Sequence, residues 1–162
     1  MNQTRTPGLF EIMSEYCILY REDCNVSLDR MVENISPVRT ISILTGEILH
    51  HKNPVIRTAV SRLLALVTDR IGAEKALSGA KDITDKLLPA VAKMAEDGSL
   101  EARIYAKMAL KTLMEHPDFE RVLKRNVTSN TMLHMEKILD QIRSSGSRSG
   151  SRFNSRGSGK TI

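Results

Sequence analysis

The stretch His50-His51-Lys52-Asn53-Pro54-Val55-Ile56-Arg57 is a polar corner between two segments whose apolar residues recur at helical spacing. Asn53 is a residue type that caps helices. Pro54 suits the first helical position, because a proline there gives up only an amide that has no partner within the helix. The stretch therefore predicts a turn between two helices, the second of which begins at Pro54.

The apolar residues on both sides of this corner fall on one face of each predicted helix. Before the corner they are Ile41, Leu44 and Ile48, and after it they are Ile56, Val60, Leu63, Leu64, Val67 and Ile71. Each helix can bury its stripe only against a neighbour. Further copies of the hairpin are therefore expected along the chain.

Composition points to the same class of fold. The chain has 162 residues, enough for one domain with a shared core. Hydrophobic residues make up 41%, aromatic residues only 4%, and tryptophan is absent, which favours helices packed through aliphatic side chains over a β-sandwich. We predict an all-α fold, an α-solenoid of about three helical hairpins with capping helices.

The predicted elements follow the chain in order. Residues 9–13 end a first helix, a turn follows at 14–18, and Cys24, Leu28, Met31 and Ile35 mark the apolar face of the next helix. Ser36 and Pro37 then start a helix that is expected to run to about residue 49. The second helix of this hairpin is expected over 54–71, and a connector over 72–81.

A third hairpin and two capping helices complete the prediction. Asp82 is expected to cap a helix with Ile83, Leu87, Val91 and Met94 on its apolar edge. After a turn at 96–99 the partner helix carries a stripe of small residues, namely Ala102, Ala106 and Ala109, with Leu113. Helices over about 117–127 and 130–144 would cover the end of the stack.

The C-terminal residues 144–162 differ in composition from the rest. They are almost wholly Ser, Gly, Arg and Asn, and they carry Arg148, Arg152, Arg156 and Lys160 without an acid. The formal net charge of the chain is +5, so these four cations account for most of it. We expect a domain at 1–143 and a disordered basic tail at 144–162 that could adhere to acidic protein tails or to RNA.

Catalytic and metal chemistry are not indicated. Cys17 and Cys24 have no partners at zinc-ligand spacing, and the adjacent His50 and His51 would point about 100° apart on a helix. No nucleophile and base, glycine-rich phosphate loop or paired carboxylates stand out. We expect a non-enzyme without a cofactor, with reduced thiols, in the cytoplasm, and no membrane partner because no apolar run approaches a membrane span.

The three hairpins share a register around their turns. An arginine follows the turn in each, as Tyr20-Arg21, Ile56-Arg57 and Ala102-Arg103. Six residues before the arginine stand Glu15, His51 and Asp97, and four before it stand Cys17, Asn53 and Ser99. This register resembles the turn of a HEAT repeat, in which a short polar residue caps the second helix and the arginine reaches back to the turn.

A more specific resemblance covers residues 9–143. The segments 31–39, 51–57, 77–91 and 116–119 are similar to the C-terminal half of a TOG domain, as found in the crescerin or TOG array regulator of axonemal microtubules family. The resemblance implies an armadillo-like HEAT-repeat paddle that binds tubulin through turns on one edge, in proteins of the cytoskeleton and cilium. A TOG domain has about six such repeats, and its first turn carries a tryptophan that this chain lacks, so binding weaker than that of a whole domain is expected.

The resemblance assigns roles to individual residues. The turn edge that faces tubulin would include Lys52, His51, Asn53, Glu15 and Ser99. Lys52 is the strongest candidate for direct contact, because tubulin's surface is acidic. The recurring Arg21, Arg57 and Arg103 would stabilise the turns through hydrogen bonds. The alternatives are a solvated loop lysine at position 52, and a scaffold that has lost tubulin binding and holds another cytoskeletal or ciliary protein. Nucleic acid is not expected as the principal partner.

Overall fold

A computed structural model describes residues 18–78 and 81–147, and within these ranges every regular element is a helix. The elements are α1 Ile18–Asn34, α2 Pro37–Leu44, a 3-10 helix Glu47–His50, α3 Pro54–Ser78, α4 Lys81–Ala95, α5 Leu100–Leu113, α6 Phe119–Asn126 and α7 Ser129–Ser147. The predicted all-α class is confirmed.

The helices form two layers. In one layer α2, α4 and α6 lie side by side, and in the other α1, α3, α5 and α7 do. Consecutive helices pair across the layers as α2 with α3 and α4 with α5, and α7 packs against both α4 and α5. This is the predicted α-solenoid, with α6 and α7 covering its C-terminal end.

The centre of the fold is the contact between α3 and α5. The predicted small residues Ala102, Ala106 and Ala109 are all buried, which lets the two helices approach closely. Ser61 Oγ on α3 donates a hydrogen bond to the backbone oxygen of Ala102 on α5 at 2.7 Å. Because both partners are buried, this bond satisfies a hydroxyl that would otherwise be costly to remove from water.

The first helix of the second hairpin is shorter than predicted. It ends at Leu44, and the chain continues through Gly46, a poor helix former with non-helical backbone angles, into the 3-10 helix. Thr45 donates its hydroxyl to the backbone oxygen of Ile41 at 2.8 Å and so closes the last turn. The break allows Leu49 to turn inward, where it is buried in the core.

Three further predictions need correction. The helical spacing places Met31 on the buried face of α1, but Met31 is 47% exposed, and Val32 is buried in its place. The connector over 72–81 is largely helical, since α3 resumes after a single break at Gly72 and runs to Ser78. Asp82 lies within the first turn of α4, which the structure describes from Lys81, rather than at its cap.

The ends of the chain are only partly described. The final helix α7 continues to Ser147, four residues into the predicted tail. The predicted first helix and the turn at 14–18, apart from Ile18, lie outside the described residues, as do residues 148–162. Cys24 is buried in the core, and no described helix is both long enough and apolar enough to span a membrane.

Replacing Gly72 with alanine should destabilise the fold. Gly72 has φ +73°, in the left-handed region, and a methyl group added at its Cα would meet no atom within 4 Å. The substitution therefore costs energy because alanine disfavours this positive φ, and not because its methyl group would clash with a neighbour. We expect a loss of about 1 kcal/mol in the free energy of unfolding, measured by urea titration. Gly98→Ala is the matched control, because Gly98 has equal space and no positive φ. An equal loss in both variants would contradict this explanation.

Candidate functional site

Arg57 closes the turn that precedes its own helix. Its Nη1 donates hydrogen bonds to the backbone oxygens of His51 and Lys52, both at 2.9 Å. These two carbonyls belong to the corner between the 3-10 helix and α3. A planar guanidinium can satisfy both at once, which fixes the path of the turn.

Arg103 makes the same contacts in the next hairpin. Its Nη1 donates to the backbone oxygen of Asp97 at 2.6 Å and to that of Gly98 at 3.1 Å. In each hairpin the acceptors stand six and five residues before the arginine. The shared sequence register of the two turns therefore corresponds to a shared geometry.

The other polar residues of the two turns also match in position. Asn53 Oδ1 accepts from the Val55 amide at 2.9 Å, and Ser99 Oγ accepts from the Ala102 amide at 3.4 Å, so each caps the following helix. His51 stands six residues before Arg57, and its Nδ1 accepts a hydrogen bond from the backbone amide of Asn53, two residues further along the chain, at 3.1 Å.

Asp97 fills the equivalent position in the second turn and also joins the two turns together. Its Oδ1 accepts from the Ser99 amide at 2.8 Å. Its carboxylate receives Arg57 in a bidentate pair, with Nε to Oδ2 at 2.7 Å and Nη2 to Oδ1 at 3.2 Å. Beside this pair the hydroxyls of Thr58 and Ser99 lie 2.9 Å apart. The two turns therefore stand side by side as one edge of the solenoid, which we call the turn edge, residues 50–54 and 96–99.

The ion pair between Arg57 and Asp97 is shielded from water, and it shifts the pKa of both side chains. The Arg57 side chain is 20% exposed and that of Asp97 only 8%. Burial by itself would raise the pKa of Asp97. The hydrogen bonds from Arg57 and Ser99, with the charges of Arg57 and Arg103, outweigh this and hold that pKa below its usual range. The hydrogen bond to Asp97 raises the pKa of Arg57.

Lys52 is the exposed cation of the turn edge. Its backbone oxygen is held by Arg57, and it forms no ion pair with the side chains that the structure describes. A second lysine, Lys93 at the end of α4, lies against His50. On the neighbouring turn Glu96 contacts His134 at 3.0 Å. The edge therefore offers positive charge at the first turn to an acidic surface.

The structure brings most of the predicted site residues together. Arg57 and Arg103 each hold their own turn, the Asn53 amide donates to His51, and Ser99 caps the helix after the second turn. Lys52 and His51 are the exposed members, and Lys52 is the one that carries a positive charge. The side chain of Arg21, together with Glu15, Arg148, Arg152, Arg156 and Lys160, lies outside the described residues.

Asp97, in the predicted turn 96–99, and Lys93, beside the turn edge, were not singled out individually as site residues by the sequence. Asp97 stands out there only by its place in the register, six residues before Arg103, where His51 stands before Arg57. This position could have indicated the ion pair, because an aspartate six residues before one turn arginine supplies a charge with which the arginine of the neighbouring turn can pair. Lys93 carried no signal, since its approach to His50 depends on how the hairpins stack. Among the described residues no group of three or more His, Cys, Asp or Glu could hold a metal ion.

Comparison with known proteins shows a similarity to a mouse protein. The mouse protein named TOG array regulator of axonemal microtubules protein 1 is 34% identical to this chain over 126 residues. The matched region is 78% of this chain but 7% of the length of the relative. No protein-family model matches the chain, and no solved structure gives a significant match.

Removing the arginine of the inter-turn pair should cost more than removing an exposed one. Arg57→Ala leaves the largely buried Asp97 carboxylate without its partner and frees two turn carbonyls. We expect a loss of about 2 kcal/mol in the free energy of unfolding. Arg121→Ala is the matched control, because Arg121 pairs with Asp118 at 78% and 49% exposure and should lose less than about 0.5 kcal/mol. Equal losses in the free energy of unfolding would show that the inter-turn pair stabilises the fold no more than an exposed ion pair does.

The effect of Asp97→Asn should depend on pH. Because the folded-state pKa of Asp97 lies below its ordinary value, the carboxylate stabilises the fold above about pH 4, and this contribution disappears as the pH falls through the folded-state pKa. The difference in unfolding free energy between the wild type and Asp97→Asn should therefore be largest near neutral pH and shrink in acid. Denaturant titrations between about pH 7 and about pH 2.5 measure it. A difference that stays constant over this range would rule out a role for the charge.

Proposed function

This chain is related over most of its length to the TOG array regulators of axonemal microtubules, and we propose that it is a non-catalytic module that binds tubulin or microtubules through the turn edge. The relationship reaches only a small part of the relative, so the proposal concerns a module and not the activity of a whole protein. A cytoskeletal or ciliary role is the setting that the name of the relative suggests.

The observation that carries the proposal is the rigid alignment of two successive turns. Arg57 holds its own turn and grips Asp97 of the next one, so residues 50–54 and 96–99 form a continuous, fixed surface. A surface that is ordered before association loses less conformational entropy on binding. Two neighbouring turns can therefore contact a partner together.

Charge at this edge supports an acidic partner. Lys52 is exposed and without an ion pair among the described side chains. Of the two acids in the next turn, Asp97 is already neutralised by Arg57, and Glu96 contacts His134. The outer surface of tubulin is acidic, so Lys52 would gain from electrostatic steering. We assign direct contact to Lys52, with His51, Asn53 and Ser99 shaping the surface around it.

Residues whose side chains are not described by the structure extend the proposal. Glu15 and Arg21 occupy the same register as His51 and Arg57, and would form a third turn on this edge. The four cations Arg148, Arg152, Arg156 and Lys160 would add attraction to acidic tubulin tails. Since two or three turns offer fewer contacts than a domain of about six repeats, binding should be weak and sensitive to salt.

Microtubule co-sedimentation tests the proposal. The full chain should co-sediment at low ionic strength, and Lys52→Glu should weaken the affinity by about tenfold, because it replaces an attraction by a repulsion at the interface. Truncation after Ser147, where the last helix ends, should weaken it further by removing four positive charges.

Lys75→Glu is the matched control. Lys75 is also exposed, but it lies in the last turn of α3, at the end opposite to the turn edge. The Lys75→Glu variant changes the net charge by the same amount as Lys52→Glu and should leave the affinity for microtubules nearly unchanged. Equal weakening by both lysine variants would indicate nonspecific charge attraction. A complete absence of co-sedimentation at low salt would favour a scaffold that binds another protein.

A further inference from the structure

A stripe of large apolar residues is exposed along α5. Leu100, Ile104 and Met108 recur every four residues and are 63%, 49% and 56% exposed. The opposite side of the same helix is the buried alanine stripe that packs on α3. Single exposed apolar side chains are ordinary, but three aligned on one helix form a patch that typically marks an interaction surface.

Two residues of this stripe, Ile104 and Met108, line a groove between α5 and α7. Ile104 and Met108 from α5 and Ile142 from α7 supply its apolar surface, and its volume is about 330 Å³. Lys107 and Lys111 stand along it, and the two other lining residues are neutral. We call this the α5–α7 groove.

The two lysines keep their charge uncompensated. Lys107 Nζ donates to the neutral side-chain oxygen of Gln141 at 3.0 Å, which holds the lysine across the groove without cancelling its charge. Neither Lys107 nor Lys111 takes part in an ion pair within the described part of the chain. The lining of the α5–α7 groove therefore combines an apolar surface with positive charges and no acidic side chain.

The groove on the other side of α5, between α3 and α5, is different. Asp69 and Glu115 line it together with Lys111 and Arg62, so its charges are mixed. Arg62 is in addition already paired with Asp29 at 2.6 Å. An acidic ligand would meet repulsion as well as attraction there. The charge pattern thus selects the α5–α7 groove over its neighbour.

We propose that the α5–α7 groove binds an amphipathic helix of a partner protein, with apolar residues on the face that enters the groove and acidic residues beside them. The part of α5 that lines the groove, from Ile104 to Lys111, rises about 10 Å along the helix, which matches about two turns of a docked helix. Carboxylates flanking the apolar face would reach Lys107 and Lys111. The chain's own residues 148–162 carry cations and no acid, so they do not complement the groove.

This surface is independent of the turn edge. Its side chains come from the exposed face of α5 and from α7, and none of them takes part in the contacts of Arg57, Asp97 or Lys52. The partner helix and the acidic surface proposed for the turn edge can therefore be tested separately.

Designed peptides provide the test, with the full chain and fluorescence anisotropy as the measurement. The first peptide is a labelled helix of about four turns with leucine at i, i+3, i+4 and i+7 and glutamate at the flanking positions. A second peptide carries lysine in place of each glutamate. The glutamate peptide should bind, and the lysine peptide should bind about tenfold more weakly or worse. Equal binding of the two, or no binding of either, would overturn the proposal.

Matched variants locate the binding site. Ile104→Ser and Lys107→Glu should each weaken binding of the glutamate peptide by about tenfold, because these two residues line the α5–α7 groove and not the groove between α3 and α5. Leu133→Ser is the apolar control, because Leu133 is 63% exposed on α7 but does not line the groove. Lys52→Glu controls for charge and for the turn edge. Both controls should retain the affinity of the wild type, and thermal unfolding checks that every variant is folded. A loss in a control equal to that of Ile104→Ser or Lys107→Glu would place the peptide elsewhere and refute the assignment.

Discussion

The pairing of Arg57 with Asp97 is the contact on which the organisation of the turns depends. One guanidinium satisfies two carbonyls of its own turn and both oxygens of a carboxylate in the next turn. Because the pair is largely removed from water, neither group can leave it without a buried charge losing its partner. The pair therefore couples the shape of each turn to the stacking of the hairpins.

This coupling divides the turn residues into two groups. Arg57, Arg103 and Asp97 are engaged with the protein itself, and Asn53 and Ser99 cap helices. Such residues recur at fixed positions, yet their polar atoms are already occupied and have little left to offer a partner. The exposed Lys52 side chain makes no hydrogen bond or ion pair with the described side chains, and so its charge is available to a partner.

The helix α5 shows how a solenoid can present two different surfaces. Its small residues let α3 approach closely, and the turn before it contributes Asp97 and Ser99 to the turn edge. Its remaining face is exposed and apolar, beside two lysines. A single helix thus links the core, the turn edge and the α5–α7 groove. A partner at the turn edge and a partner in the α5–α7 groove would both bind next to α5, although they would contact different side chains.

The sequence by itself determined the helical class, most helix boundaries, the buried stripes and the register of the turns, because these follow from local periodicity, capping residues and proline. It missed the break after Leu44, where a weak helix former lets Leu49 turn into the core, and it placed Met31 on the wrong face. Only the tertiary structure decided which turn residues meet. The Arg57–Asp97 pair joins residues 40 positions apart, and the α5–α7 groove is built from two helices. Such contacts depend on how hairpins stack, which local pattern does not specify.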